Sequence, residues 1–283
     1  MSVRGYVTRF APSPTGLLHK GHAFSALTGF ARAKAAGGRF LLRIEDIDFT
    51  RCRPQFEAAL FEDLAWLGLE WEQPALRQSD HLADYSAALG RLEAMGLLYR
   101  CFKTRKEVLD AIGSAPHGRM EAYRGRRLGP AEEASRLAAG EPFAWRLALG
   151  EAQRLAGPLS FEEAGEGPRG EHGALPVDAG GAGDVVLARK DVGIAYHLAV
   201  VVDDARQGVT EVVRGRDLFE ATHIQRLLQA LLGLPAPAYR HHPLLSGPDG
   251  RRLAKRDRAE TLRALRANGM TPEALRAELG FDA

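Results

Sequence analysis

Cysteine is nearly absent from this chain of 283 residues: only Cys52 and Cys101 occur, far apart and without C-x-x-C spacing. A disulfide framework is excluded, and a reducing cytosol fits. No apolar run is long enough to span a bilayer, and Met1 leads almost directly into a strand-like run. A cytoplasmic protein with no membrane partner is therefore expected. An excess of one charge is missing too. The 38 basic and 36 acidic residues give a formal net charge of +2, so global charge does not announce a nucleic-acid binder. Lysine is scarce, at six of the 38 basic residues, which makes arginine the default cation. Local clusters, Arg124 with Arg126 and Arg127, and Arg251 to Arg258, read first as solvated faces. Internal repeats are lacking, as are the G-x-x-x-x-G-K-S/T and G-x-G-x-x-G phosphate patterns. With 45% hydrophobic residues the chain can bury one sizeable core, or a core with a large insertion.

What is present centres on Arg9-Phe10-Ala11-Pro12-Ser13-Pro14-Thr15-Gly16-Leu17-Leu18-His19-Lys20-Gly21-His22. A strand-like run, Tyr6 to Phe10, precedes this loop. After it Phe24, Leu27, Ala31 and Ala35 recur at helical spacing, Gly37-Gly38 stops the pattern, and a second strand runs from Arg39 to Ile44. Strand, loop and helix start open a βαβ unit, where anions settle against free backbone N–H groups. His19 and His22 offer two imidazole donors where a triphosphate can lie, and Gly21 leaves room for a flat base.

The acidic run Glu45-Asp46-Ile47-Asp48 follows the second strand at the edge where ligands bind in open parallel sheets. Pro54 opens a helix with Phe56, Leu60, Leu64 and Leu67 inward, and Ser79 is expected to cap the next one, which ends near Gly96. Leu97 to Cys101 reads as another buried strand, and the alternation argues for an α/β parallel sheet. Between Lys103 and Gly183 one good strand, Phe143 to Leu149, stands among charged and Ala/Gly-rich segments, and Gly165 to Gly183 is loop-like. The core resumes with Val185 to Leu187, the apolar run Leu198 to Val202, and Val209 to Val213. A helix from about Leu218 to Leu232 follows, and two short helices end the chain, the second with Thr271 as N-cap. Lys255, in an arginine-rich loop after Gly247 to Gly250, suggests a need for a compact, movable ammonium.

The loop from Arg9 to His22 resembles the glutamate-pocket and HIGH-motif stretch of glutamyl-tRNA synthetases, class I aminoacyl-tRNA synthetases. The likeness continues, in the family's order and over most of the chain, through Arg43 to Asp48, Tyr196 to Ala199, Val202-Asp203-Asp204, Arg214 to Leu218, and Arg252 to Arg256. It implies a Rossmann-like parallel sheet with an inserted α+β subdomain and short C-terminal helices. The halves of the catalytic domain would be 1–102 and 184–240. The acceptor-binding-like insertion would be 103–183, and the KMSKS-like loop with the last helices 241–283. Only 26 residues follow Asp257, too few for the large anticodon-reading domain of full-length members. The chain thus looks like a shortened branch of the family, which activates glutamate and attaches it to queuosine in the anticodon loop of tRNA(Asp). The alternatives are a truncated enzyme that charges tRNA(Glu) and a non-catalytic RNA-binding paralogue.

The resemblance implies roles residue by residue. Arg9, Phe10, Ala11, Pro12 and Ser13 line the glutamate pocket, Glu45 receives the substrate ammonium, and Tyr196 and Arg214 make further contacts. Arg9 and Arg214 suit a side-chain carboxylate, which a guanidinium fork binds through both oxygens. ATP, with its Mg²⁺, lies along His19, Gly21 and His22, with adenine near Leu253-Ala254 and Lys255 at the phosphates. The partners implied are L-glutamate, ATP and queuosine-bearing tRNA(Asp), and a monomer is expected. The family's zinc pattern, Cys-x-Cys then Tyr-x-x-x-Cys, retains here only Cys101 and Tyr123, because Lys103 and Arg127 hold the other positions. Structural zinc needs four ligands, so no zinc is expected.

Overall fold

The computed structural model describes residues 5–104, 106–108, 123–189, 193–245 and 260–281. β1 (Val7–Phe10) and β2 (Arg39–Ile44) pair in parallel, with Val7 opposite Arg39 and Phe10 opposite Leu42. The crossover between them is α1 (Lys20–Ala35), and β3 (Glu72–Arg77) adds beyond β2. The buried stripe of α1 is Ala23, Ala26, Leu27, Gly29 and Ala33, so of the Phe24, Leu27, Ala31 and Ala35 series read from spacing only Leu27 lies on it. Small residues win because the helix lies close on the sheet: a Cβ at Gly29 would come within 3.2 Å of the Phe40 ring. Arg32 and Lys34 in the last turn suit the negative end of the helix dipole.

The other half of the parallel sheet is β10 (Glu211–Gly215) beside β11 (Ala238–His242), in register from Glu211 and Ala238 to Gly215 and His242. The Thr210 N–H donates to the Val7 carbonyl, and the Val7 N–H donates to the Thr210 hydroxyl, both at 2.9 Å. These bonds tie β10 to β1. Chain order therefore runs outward from that junction through β2 and β3 on one side and β11 on the other, which makes it the switch point where open α/β sheets bind ligands. The hairpin of β6 (Ser160–Glu163) and β7 (Gly173–Pro176) extends the sheet past β11, with Glu163 opposite Tyr239. The stretch expected as loop between Gly165 and Gly183 thus supplies a strand.

A second sheet, antiparallel throughout, contains β4 (Leu98–Cys101), β5 (Ala144–Leu147), β8 (Val186–Arg189) and β9 (Gly193–Ile194). Alternation suggests a parallel β4, but Cys101 faces Ala144 antiparallel because β5 returns directly alongside it. The strand expected to reach Leu149 ends at Leu147, and α5 (Leu149–Ala156) starts there, after α4 (Pro130–Ala138). Leu198 to Val202 sits in α6 (Tyr196–Arg206), which packs with α3 (Leu82–Ala94) and α7 (Phe219–Leu231). A short apolar run buried on several sides has no period that separates helix from strand. Ser79 caps no helix; its N–H and hydroxyl bind Asp46 at 2.8 and 2.7 Å.

α2 (Pro54–Trp66) starts on its proline and buries Leu60 and Leu64. Against them pack Leu262 and Leu265 of α8 (Leu262–Ala267) and Leu275 of α9 (Pro272–Glu278). Thr261 and Thr271 cap these two helices, each hydroxyl accepting a backbone N–H at 3.2 Å. The Leu262 N–H donates to the Leu18 carbonyl at 2.8 Å, next to a bridge between His19 and Thr261. Among the described residues no helix is long and apolar enough to cross a membrane.

Gly38 is fixed by space, since a Cβ there would lie 2.2 Å from the Tyr6 carbonyl oxygen. Gly90, inside α3, has nothing within 4 Å of that position. Gly38→Ala is expected to destabilise by about 1–3 kcal/mol through overpacking. Gly90→Ala should stabilise by about 0.5–1 kcal/mol through helix propensity. Urea denaturation of the two variants checks the pair.

Candidate active site

The C-terminal ends of β1 and β10 open into a cavity of about 630 Å³. Its walls bring together Arg9, Phe10, Ala11, Pro12, Ser13, His19, Gly21, His22, Glu45, Tyr196 and Arg214. Leu253, Ala254 and Lys255 lie outside the described residues. Of the described residues flanking them, Leu245 lines the cavity and Thr261 bridges to His19. Ser25, Asp217 and His242 also line it and were not singled out from the sequence.

His19 and His22 begin α1 as a reciprocal cap. The Gly21 N–H donates to His19 Nδ1 at 3.1 Å, and the His19 N–H donates to His22 Nδ1 at 3.2 Å. Each Nδ1 is thus an acceptor, so each neutral ring carries its proton on Nε2. The rings lie 3.9 Å apart. A side chain at position 21 would meet His19 Cε1 at 3.0 Å, which explains Gly21 by the cap as well as by substrate access.

Glu45 and Arg9 sit on a buried charge cluster. Arg43, fully buried, donates to Glu45 Oε1 at 3.2 Å and to Asp204 Oδ1 at 2.8 Å, and lies 3.8 Å from Asp203. Arg9 Nε donates to Asp204 Oδ1 at 2.9 Å. Tyr85 and Gln78 donate to Asp203. Burial alone would raise Asp204, but the charges and hydrogen bonds of Arg9 and Arg43 hold it below its usual 3.8. Burial pushes Glu45 and Asp203 upward against the pull of Arg43. Two guanidiniums face three carboxylates, so this end of the cavity suits an added ammonium.

Arg214 has the opposite setting. It is 5% exposed, and its partners are His241 Nε2 at 3.1 Å, Gln225 Oε1 at 2.8 Å, Thr222 Oγ1 at 2.6 Å and the Tyr196 hydroxyl at 3.4 Å. Its guanidinium also lies over the Tyr239 ring, 5.2 Å from the centroid. His197 nearby is held neutral, pushed down to about 4 by burial and then by the Arg214 charge. Among the described residues no carboxylate pairs with Arg214. A buried cation with only neutral partners calls for an anion from outside. The cavity is therefore polarised, with a carboxylate-binding end at Arg214 and an ammonium-binding end at Glu45.

Cys101 Sγ and Tyr123 OH come together at 3.6 Å, and burial followed by that contact pushes the phenol up to about 12. Lys103 Nζ lies 5.9 Å and Arg146 4.6 Å from the Tyr123 ring. Arg127 instead holds the Leu98 carbonyl at 2.8 Å and Glu151 at 2.6 Å. Cations take two of four ligand positions, and this donor set does not fit zinc.

The family model for the catalytic domain of class I tRNA synthetases (E and Q) matches residues 6–281. A Rhodobacter capsulatus protein named glutamyl-Q tRNA(Asp) synthetase is 50% identical over 284 residues, covering 97% of this chain and 100% of its own. A Symbiobacterium thermophilum protein of the same name is 46% identical, covering 96% and 85%. A Prochlorococcus marinus glutamate–tRNA ligase is 37% identical, covering 94% of this chain and 56% of its own. The solved glutamate-tRNA synthetase of Elizabethkingia anophelis aligns with a TM-score of 0.81 at 26% identity, over 97% of this chain and 61% of that one. The chain belongs to the class I tRNA synthetases of the glutamate and glutamine type. Membership brings ATP, an amino acid and a tRNA as reactants.

Replacing Arg43 by Met leaves three buried carboxylates without their shared cation, and should cost about 3–5 kcal/mol. Asp204, with its folded value depressed, contributes stability that is full above its usual 3.8 and lost as pH falls through the folded value. Asp204→Asn should therefore flatten the acid-side loss of stability. Denaturation curves for both variants from about pH 3 to pH 7 check this.

Proposed function

We propose that the protein activates L-glutamate with ATP as glutamyl-adenylate and transfers the glutamyl group to queuosine in the anticodon loop of tRNA(Asp), acting as a monomer. The polarised cavity carries the reading. An amino acid with a second carboxylate fits a buried unneutralised guanidinium at one end and an anionic cluster at the other. Full-length identity of 50% to a protein named for the queuosine reaction supports that acceptor over tRNA(Glu).

In the first step an oxygen of the glutamate α-carboxylate attacks the α-phosphorus of ATP, and pyrophosphate leaves with the electrons of the broken P–O bond. The Nε2–H groups of His19 and His22 stabilise the charge that grows on the phosphates, so no protein nucleophile is needed. Lys255 is assigned to the same phosphates, and Leu253 with Ala254 to the adenine, by their place in the motif. Mg²⁺ bound to ATP supplies further charge neutralisation. In the second step a hydroxyl of the queuosine cyclopentene ring attacks the acyl carbon of the mixed anhydride. An ester forms and AMP leaves, while the hydroxyl proton passes to solvent or to AMP.

The test is glutamylation of tRNA(Asp) with and without queuosine, with tRNA(Glu) alongside. Transfer only to queuosine-bearing tRNA(Asp) is expected, and charging of tRNA(Glu) at its 3′ end would overturn the assignment. Around Cys101 and Tyr123 the insertion is held by packing and cation–π contacts. Elemental analysis of the purified protein should accordingly find no stoichiometric zinc, and a chelator should leave its melting temperature unchanged.

A further inference from the structure

Arg214 is aimed by residues that the proposed chemistry does not touch. Behind its Nε–H stands His241 Nε2, 3.1 Å away, which must carry a lone pair to accept that bond. The other ring nitrogen, Nδ1, lies 2.5 Å from Glu163 Oε2, with both side chains fully buried. Glu163 comes from the β6 hairpin, 78 positions before His241 in the chain. Its second oxygen, Oε1, accepts the His241 N–H at 3.0 Å and the Gly165 N–H at 2.8 Å. Burial alone would raise the Glu163 carboxyl, but these bonds keep it below its usual value, so it is an anion that can only accept.

We propose that Glu163 is a positioning residue for substrate recognition: by accepting the Nδ1–H of His241 it fixes the imidazole tautomer whose Nε2 accepts from Arg214, and so aims the guanidinium at the substrate carboxylate. The role assigned to Arg214 rests on the proposed glutamate reading. Which nitrogen of a histidine carries the proton is set by the bond made at the other. An imidazole with a proton on Nε2 would set two donors face to face at Arg214. Its guanidinium would then have to leave the fork made with Gln225 and Thr222. The β6 hairpin thereby reaches the substrate pocket through one carboxylate and one ring.

Glu163→Gln separates this role from packing, because the change is nearly isosteric. Two backbone N–H groups hold the Oε1 position as an oxygen, so the amide NH₂ must face His241 Nδ1. It donates there, and the ring proton moves to Nε2. Histidine ¹⁵N NMR, with the His241 signals identified by their loss in His241→Asn, should find Nδ1 protonated in the unaltered protein and Nε2 protonated in Glu163→Gln. In pyrophosphate exchange the variant should raise the KM for glutamate on the order of tenfold or more, as expected for a buried donor left facing another donor, with the KM for ATP little changed. A merely structural role moves both constants together or neither. An Nε2-protonated ring in the unaltered protein overturns the relay, even if Glu163→Gln does not fold. An unchanged glutamate KM beside a switched tautomer overturns it as well. Absence of any glutamate-dependent exchange in the unaltered protein defeats the substrate assignment instead, and the tautomer measurement alone then judges the relay.

Discussion

Arg43 is the charge on which the first half of the site depends. A guanidinium with no solvent contact is tolerated where carboxylates surround it, and here there are three: Glu45 two positions away, and Asp203 and Asp204 from α6. One side chain thereby locks β2 to α6. It also orients the oxygen of Glu45 at the cavity wall and, through Asp204, places Arg9. Tyr85 of α3 and Gln78 close the set from the other side of Asp203, so α3 and α6 are joined by hydrogen bonds as well as by packing.

The two arginines that line the cavity look alike in sequence, each near the end of a strand, yet their surroundings differ. Arg9 shares Asp204 with Arg43, so its charge is already answered from within. Arg214 is held by an imidazole, an amide and two hydroxyls, which fix its direction without answering its charge. Neutral acceptors preserve the field of a buried cation, whereas a carboxylate in their place would cancel it. On the proposed glutamate reading, that difference favours an acidic over an amide side chain, because a site built on an unneutralised cation gains little from an amide.

Many of the residues that line the cavity were legible in the sequence because they cluster in short motifs, and local order places Arg9 to Ser13, His19 to His22 and Glu45 together on its wall. Their supports were not. Asp204 meets Arg9 across 195 positions and Glu163 meets His241 across 78, and no local pattern reports such pairings. The two histidines carried a second duty that the motif hides, since their Nδ1 atoms close the first turn of α1. The inward stripe of α1 was misread because close packing on the sheet favours alanine and glycine over the larger apolar residues that dominate a periodicity count. β4 was misplaced because alternation of elements says nothing about which sheet a strand joins.

The last helices reach back to the first. Lys20 pairs with Glu278 at 2.5 Å, the Phe24 and Phe281 rings meet tilted with centroids 5.6 Å apart, and the Leu262 N–H donates to the Leu18 carbonyl. The loop that holds His19 is therefore clasped by residues some 240 or more positions further along the chain. A contact of that span closes late in folding, because the entropy of bringing its two ends together is offset only once the intervening sheets have drawn them near. The placement of His19 is thereby coupled to helices that, among the described residues, contribute none of the cavity lining, so loosening them loosens the site.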